Sequence, residues 1–167
     1  IDTLPWSLKA PVAYCMLKIA NPKEWDIVLD PMCGVGTIAL EACWFTEHIL
    51  AGDSNPEAID IAKQLRAEQD FYKNIDFQIW DAKNLPLEEG SVDKIVTNLP
   101  FWKQIPIEDM DSFLEEVIEE FSRVLKTGGT MVLLTMHEDK IRELAQRKGL
   151  VYKANYPISL FGLQPSI

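Results

Sequence analysis

The sequence predicts an α/β protein built on a doubly wound sheet, mostly parallel, with an antiparallel closing strand. Short apolar runs alternate with amphipathic stretches of helical period, which is the pattern of βα units around a parallel sheet. The first run, Val28-Leu29-Asp30, ends in an acid, and a turn framed by Gly34 and Gly36 follows. Two further runs, Ala51-Gly52-Asp53 and Ile95-Val96-Thr97-Asn98, also end in a carboxylate or an amide. Parallel topology gathers such strand ends on one edge, where ligands of α/β sheets bind.

Each element has a local reason. Residues 8–20 read as a helix with Val12, Met16 and Ile19 on one face, broken at Asn21-Pro22-Lys23-Glu24. Ile27-Val28-Leu29 is the first strand, 37–45 a helix and Ile49-Leu50-Ala51 the second strand. Asn55 can cap the next helix, which runs toward Phe71, and Pro56 suits its first turn because no N–H is needed there. Phe77-Gln78-Ile79-Trp80 alternates as a third strand up to Asp81. After a loop, 85–91, comes a strand over 92–97. Phe113, Leu114, Val117, Ile118 and Phe121 set the face of a helix over 109–125, with Gly128-Gly129 as its stop. The apolar run 130–135 suits a buried parallel strand. Residues 139–148 read as a helix before Gly149, and 151–160 and 163–167 as closing strands.

Composition narrows the function. The 167 residues fit one domain, 1–167, and an apolar fraction of 47% excludes a disordered chain. No apolar run is long enough to span a bilayer, and no signal-peptide pattern opens the chain, so no membrane partner is expected. The first residue is Ile1 rather than Met, which fits an excised domain. Cys15, Cys33 and Cys43 are odd in number and lack a CxxC spacing, which argues against a disulfide framework and for a reducing, cytoplasmic setting. His48 and His137 stand at no zinc spacing to them, so no metal is expected. With 26 acids against 16 bases, the domain alone is a poor match for polyanionic nucleic acid.

The motif Asp30-Pro31-Met32-Cys33-Gly34-Val35-Gly36-Thr37 lets backbone approach a ligand closely. The third glycine of the dinucleotide fingerprint is replaced by Ala39, which favours a nucleoside cofactor without pyrophosphate over NAD. Asp53 lies one βα unit later, where a carboxylate accepts from a ribose diol; capping the helix at Asn55-Pro56 is a compatible second reading. Asp81 can accept from an adenine amino group or simply end its strand, and Ala82 leaves room for a ring. In Asn98-Leu99-Pro100-Phe101, Asn98 Oδ1 and the Leu99 carbonyl can hold an exocyclic –NH2 while Phe101 stacks on its base; the plainer reading is a turn after a strand. Cys33 has no histidine in its motif to deprotonate it and is read as a loop residue. His137 reads as a base or as an ordinary helix-start residue.

Together these motifs resemble class I S-adenosylmethionine-dependent methyltransferases, and most closely the THUMP-associated tRNA guanine-N2 methyltransferases. Leu8-Lys9-Ala10-Pro11-Val12-Ala13-Tyr14, within an entry segment at 1–22, resembles that group's Leu-Arg-Pro helix. The resemblance covers nearly the whole chain as a catalytic domain and implies a Rossmann-like methyltransferase fold using S-adenosylmethionine. It assigns Asp30 and the 34–36 loop to the methionine part, Asp53 to the ribose, Asp81 to the adenine and residues 98–101 to the target base. The expected cofactor set is Asp30, Pro31, Met32, Cys33, Gly34, Gly36, Thr37, Asp53, Ser54, Asp81, Ala82 and Asn98; the expected catalytic set is Asn98, Pro100 and Phe101. The implied substrate is tRNA, gripped by an additional RNA-binding domain or subunit outside residues 1–167. Two departures stand out: Lys9-Ala10 replaces Arg-Pro, and bulky Trp102 follows Phe101 where glycine is usual. The same Asn-x-Pro-aromatic device also serves adenine N6 and protein glutamine, and an inactive cofactor-binding partner subunit is a further alternative.

Overall fold

The computed structural model describes residues 8–68, 74–101, 107–160 and 163–167, with the backbone alone at 107–108. The expected helix end at Phe71 and the residue Trp102 lie outside the described residues. Strands β1 (Ile27–Asp30), β2 (His48–Asp53), β3 (Ile75–Ile79), β4 (Val92–Asn98) and β5 (Leu125–Leu134) form a five-stranded sheet in the order β3-β2-β1-β4-β5. Every pairing within it is parallel. Helices α1 (Ala10–Ala20), α2 (Thr37–Ala42), α3 (Pro56–Ala67), α4 (Ile107–Val124) and α5 (Glu138–Arg147) complete the described elements.

The strand order reverses direction between β1 and β4, and this reversal splits the helices between the two faces of the sheet. Neighbouring strand residues point to opposite faces. Val28, Val96, Val132 and Leu134 join a core with Ala13, Met16 and Leu17 of α1, Ile38 of α2 and Ile59 of α3. Leu29, Ile95 and Leu133 join the other core with Leu114, Ile118 and Phe121 of α4 and Leu144 of α5. The doubly wound expectation is met in this way.

The antiparallel closing strand is not met. Residues 151–160 and 163–167 make only isolated antiparallel bridges, Thr135↔Ser166, Pro157↔Ser166 and Leu160↔Leu163, outside the five parallel strands. Reciprocal bonds tie Thr135 to Ser166 at 2.9 Å, and Ile158 N–H donates to the Pro165 carbonyl at 3.0 Å. Pro157 and Pro165 have no N–H to give, so the ladder is interrupted where a strand would have to continue.

Three local expectations also shift. The buried face of α1 is Ala13, Met16, Leu17 and Ala20, while Ile19 is 37% exposed and Val12 is only partly buried. The α2 helix stops at Ala42, short of Phe45. Gly128 and Gly129 do not stop a helix: α4 ends at Val124, and the glycines lie in a register shift of β5 between Leu125, opposite Val92, and Thr130, opposite Lys94. Gly128 takes φ 81° there, which suits glycine in a bulge. The Asn55 cap forms as expected: its Oδ1 accepts from Glu57 N–H at 3.0 Å, with Pro56 in the first turn.

One packing detail fixes the rim on which the strand ends sit. Trp80, 8% exposed, lies flat against Gly52, so a Cβ at Gly52 would come within 2.1 Å of indole Cε2. Its Nε1–H donates to the Pro31 carbonyl at 3.1 Å. Gly52→Ala must therefore push the indole out and break that bond. We expect a loss of about 1–3 kcal/mol, the usual cost of overpacking, read as a lower urea midpoint with unchanged slope. A midpoint equal to that of the parent chain would show that Trp80 is free to move.

Candidate active site at the strand ends

The loop from β1 to α2 is held from its neighbours rather than by its own bonds alone. Cys33 N–H donates to the Gly52 carbonyl at 2.9 Å, and the Trp80 indole holds the Pro31 carbonyl. Gly34 N–H donates to Asp53 Oδ2 at 2.8 Å. Within the loop, Gly36 N–H reaches the Cys33 carbonyl at 2.8 Å. Gly36 has φ 88°, and a Cβ there would lie 2.8 Å from Phe77 Cζ, so both conformation and space demand glycine. Gly34, by contrast, has φ 53° and open space where a Cβ would stand. The loop crest thus presents bare backbone to a ligand.

Asp53 serves the helix start at Asn55 that the sequence offered as its second reading, and adds a bond to the glycine loop that the sequence did not show. Its Oδ2 holds the Gly34 amide and its Oδ1 accepts from Asn55 N–H at 2.9 Å. One carboxylate therefore links the β1 loop to the start of α3, and each oxygen keeps a second lone pair for a further donor. Ser54 beside it is exposed, and Thr37 opens α2 half-buried. Asp81 stands at the end of the third strand run with its side chain 58% exposed; Oδ1 accepts from Lys83 N–H at 2.9 Å. Ala82 next to it is buried.

Asp30 is the most buried acid of the set, at 1% exposure. The Thr97 hydroxyl donates to its Oδ1 at 2.7 Å across the point where β1 and β4 diverge. Burial pushes its carboxyl up to about 7, against the opposing pull of the Thr97 hydroxyl and the Met32 amide. Burial also drives the Cys33 thiol far above the usual thiol range, with the Asp30 and Asp53 charges adding to it. An inert, buried thiol agrees with a loop residue and not with a nucleophile.

On the other side of this divergence, β4 ends at Asn98, paired with Leu134 of β5. Leu99 N–H donates to the Leu134 carbonyl at 3.0 Å, which fixes the backbone leaving the strand. Leu99 is buried, Pro100 and Phe101 are half-buried, and Phe101 packs against the core on the α1 face. Asn98 Oδ1 is buried and has no hydrogen-bond partner among the described residues. Buried polar atoms are nearly always paired, so an acceptor left open among the described residues is suited to receive a donor.

The structure thus brings Asp30, the glycine loop, Asp53 and Asn98 to the carboxyl ends of β1, β2 and β4, with Asp81 just past the end of β3. Sequence reasoning missed Thr97, Gly52 and Trp80. A threonine inside an otherwise apolar run was a signal for the first. A glycine opposite Gln78, two residues before a tryptophan just past the end of β3, was a signal for the other two. Among the described residues no group of three or more His, Cys, Asp or Glu side chains could hold a metal ion, and no helix is long and apolar enough to cross a membrane.

The family model described as RMKL-like, methyltransferase domain, matches residues 2–164. Human tRNA (guanine(6)-N(2))-methyltransferase THUMP3 is 39% identical over 146 residues, covering 78% of this chain and 29% of that protein. Human U6 snRNA (guanine-N(2))-methyltransferase THUMPD2 is 34% identical over 144 residues, covering 84% of this chain and 28% of that protein. The chain therefore spans less than a third of the length of either relative. Among solved structures, TrmN from Thermus thermophilus superposes with a TM-score of 0.84 at 25% identity, over 98% of this chain and 49% of that one. A β1 loop pinned by a neighbouring acid, strand-end acids around it and a family match over almost every residue lead to one conclusion: the chain belongs to the RMKL-like methyltransferase domain family.

Proposed function

We propose that this chain is a catalytic domain that methylates the N2 amino group of a guanine in tRNA, with S-adenosylmethionine as donor. The observation that carries the reading is the buried, unpaired Oδ1 of Asn98 at the end of β4, beside the pinned glycine loop. The names of the human relatives support guanine N2 in RNA as the target. Asp30, Pro31, Met32, Cys33, Gly34, Gly36 and Thr37 would hold the methionine part, Asp53 and Ser54 the ribose, Asp81 and Ala82 the adenine. The fit rests on the open backbone at Gly34 and on the spare lone pairs of Asp53. When bound, S-adenosylmethionine supplies an electrophilic methyl group.

The work left to the chain is orientation. Asn98 Oδ1 accepts one N–H of the exocyclic amino group, which fixes how that nitrogen faces the cofactor side of the crevice. Pro100 offers no competing N–H, and Phe101 stacks on the base. RNA affinity has to come largely from elsewhere, because 26 acids against 16 bases leave little to neutralise phosphates. We place that grip on an additional RNA-binding domain or subunit. Three free thiols, Cys15, Cys33 and Cys43, suit a reducing cytoplasmic setting.

Two outcomes follow for measurement. Asn98→Ala keeps cofactor affinity but slows methyl transfer in single-turnover assays with saturating cofactor by about 2–4 kcal/mol of barrier, as for loss of one preorganised contact. Full activity in that variant would reduce residues 98–101 to a turn. The second outcome concerns pH. S-adenosylmethionine carries a cationic sulfonium, which favours ionised Asp30, whereas the ligand-free carboxyl titrates near 7. Below that pH, binding must release a proton, so affinity falls as pH drops through about 7 and levels off above it, by up to about tenfold per unit. Calorimetry between pH 5.5 and 8.5 on the parent and Asp30→Asn chains tests this. The same slope in both would remove Asp30 from the account.

A further inference from the structure

Among the described residues, His137 Nε2 at the carboxyl edge of the sheet is buried without a hydrogen-bond partner, as are Arg142 Nε and Asn155 Oδ1, whose side chains are bonded to Glu138 next to it. His137 is the third residue past Leu134, the β5 residue paired with Asn98 and bonded through its carbonyl to Leu99 N–H. The chain turns there: His137 precedes α5 with φ −120° and ψ 43°, and its own N–H is held by Thr135 Oγ1 at 2.9 Å. It cannot drift along the sheet, so it stays at the carboxyl edge one strand over from Asn98. His48, the other histidine, stands at the opposite edge, where β2 begins, beside Trp25 at 6.3 Å.

We propose that His137 is a specificity-determining residue whose Nε2–H donates to O6 of the target guanine while Asn98 holds its N2 amino group. This rests on the function proposed above. A guanine edge offers an amino donor at one end, a carbonyl acceptor at the other and an N–H donor between them. Asn98 Oδ1 matches the first. A histidine N–H at Nε2 matches the carbonyl O6. Adenine held by its amino group at Asn98 presents N1 in the middle of that edge and C2–H at the far end, so it offers no acceptor where O6 of guanine stands. A site built to make such a bond rejects an analogue lacking it, because its own polar atom is then left unpaired.

The analogue that isolates this contact is 2-aminopurine, which keeps the N2 amino group but lacks both O6 and N1–H. The full chain, saturated with S-adenosylmethionine, is assayed in single turnover on an RNA it methylates and on the same RNA with 2-aminopurine at the target position. The parent chain should prefer guanine by about tenfold or more. His137→Phe should bring the two rates to within about twofold by slowing the guanine reaction alone, and His137→Gln, which keeps a donor and an acceptor, should restore part of the preference. Cofactor affinity should be unchanged in both variants. If His137→Phe unfolds the chain, His137→Asn carries the same comparison, its amide being too short to reach where Nε2 stands. An unchanged guanine preference in the variants, equal slowing on both RNAs, or no preference in the parent chain would each overturn the role of His137 while leaving guanine methylation intact. Absence of guanine methylation by the parent chain would instead overturn the function on which the role rests.

Discussion

The strand-end site depends above all on one bond, from the Gly34 amide to Asp53 Oδ2 at 2.8 Å. A glycine-rich loop is costly to order, since glycine loses more conformational freedom than any other residue. Here the ordering comes from the next strand. Asp53 closes β2, holds Gly34 with one oxygen and the first turn of α3 with the other. The loop, β2 and α3 thus become one rigid piece before any ligand arrives, and a preorganised loop spares that ordering cost on binding. Trp80 adds a clamp from the next strand by holding the Pro31 carbonyl while filling the space that Gly52 leaves.

The second constraint is topological. Between β1 and β4 the chain reverses its direction of travel across the sheet, and the crevice this opens is where an α/β sheet offers a site. The Thr97 hydroxyl and the Asp30 carboxylate bridge it at 2.7 Å. On the β1 side lie the loop and the acids suited to a nucleoside cofactor. On the β4 side lies an amide with an unpaired buried oxygen. The proposed division of labour between cofactor and substrate follows from this reversal.

Much of this was legible in the sequence because it is local. Asn55-Pro56 states its cap in two adjacent letters, and Asp30, Asp53 and Asn98 each end an apolar run. What was not legible depends on residues far apart. The bond between Gly34 and Asp53 spans 19 positions and that between Trp80 and Pro31 spans 49. The phase of α1 turned out one step off, with Leu17 inside and Ile19 outside, because apolar residues at 12, 16, 17 and 19 allow two faces until the sheet beneath selects one. Gly128-Gly129 carries the same two letters in a helix stop as in a bulge, and only the register against β4 distinguishes them. The closing segment reads as strand by its apolar residues, yet Pro157 and Pro165 limit it to isolated bridges.

The central claim is that the crevice presents a base amino group to a methyl donor. Its most direct test is to incubate the full chain with S-adenosylmethionine and transfer RNA, digest the RNA to nucleosides and identify the products by mass spectrometry. The account requires N2-methylguanosine and unmodified adenosine. N6-methyladenosine, or no methylated nucleoside from a chain that binds the cofactor and is supplied with an RNA-binding partner, would contradict it.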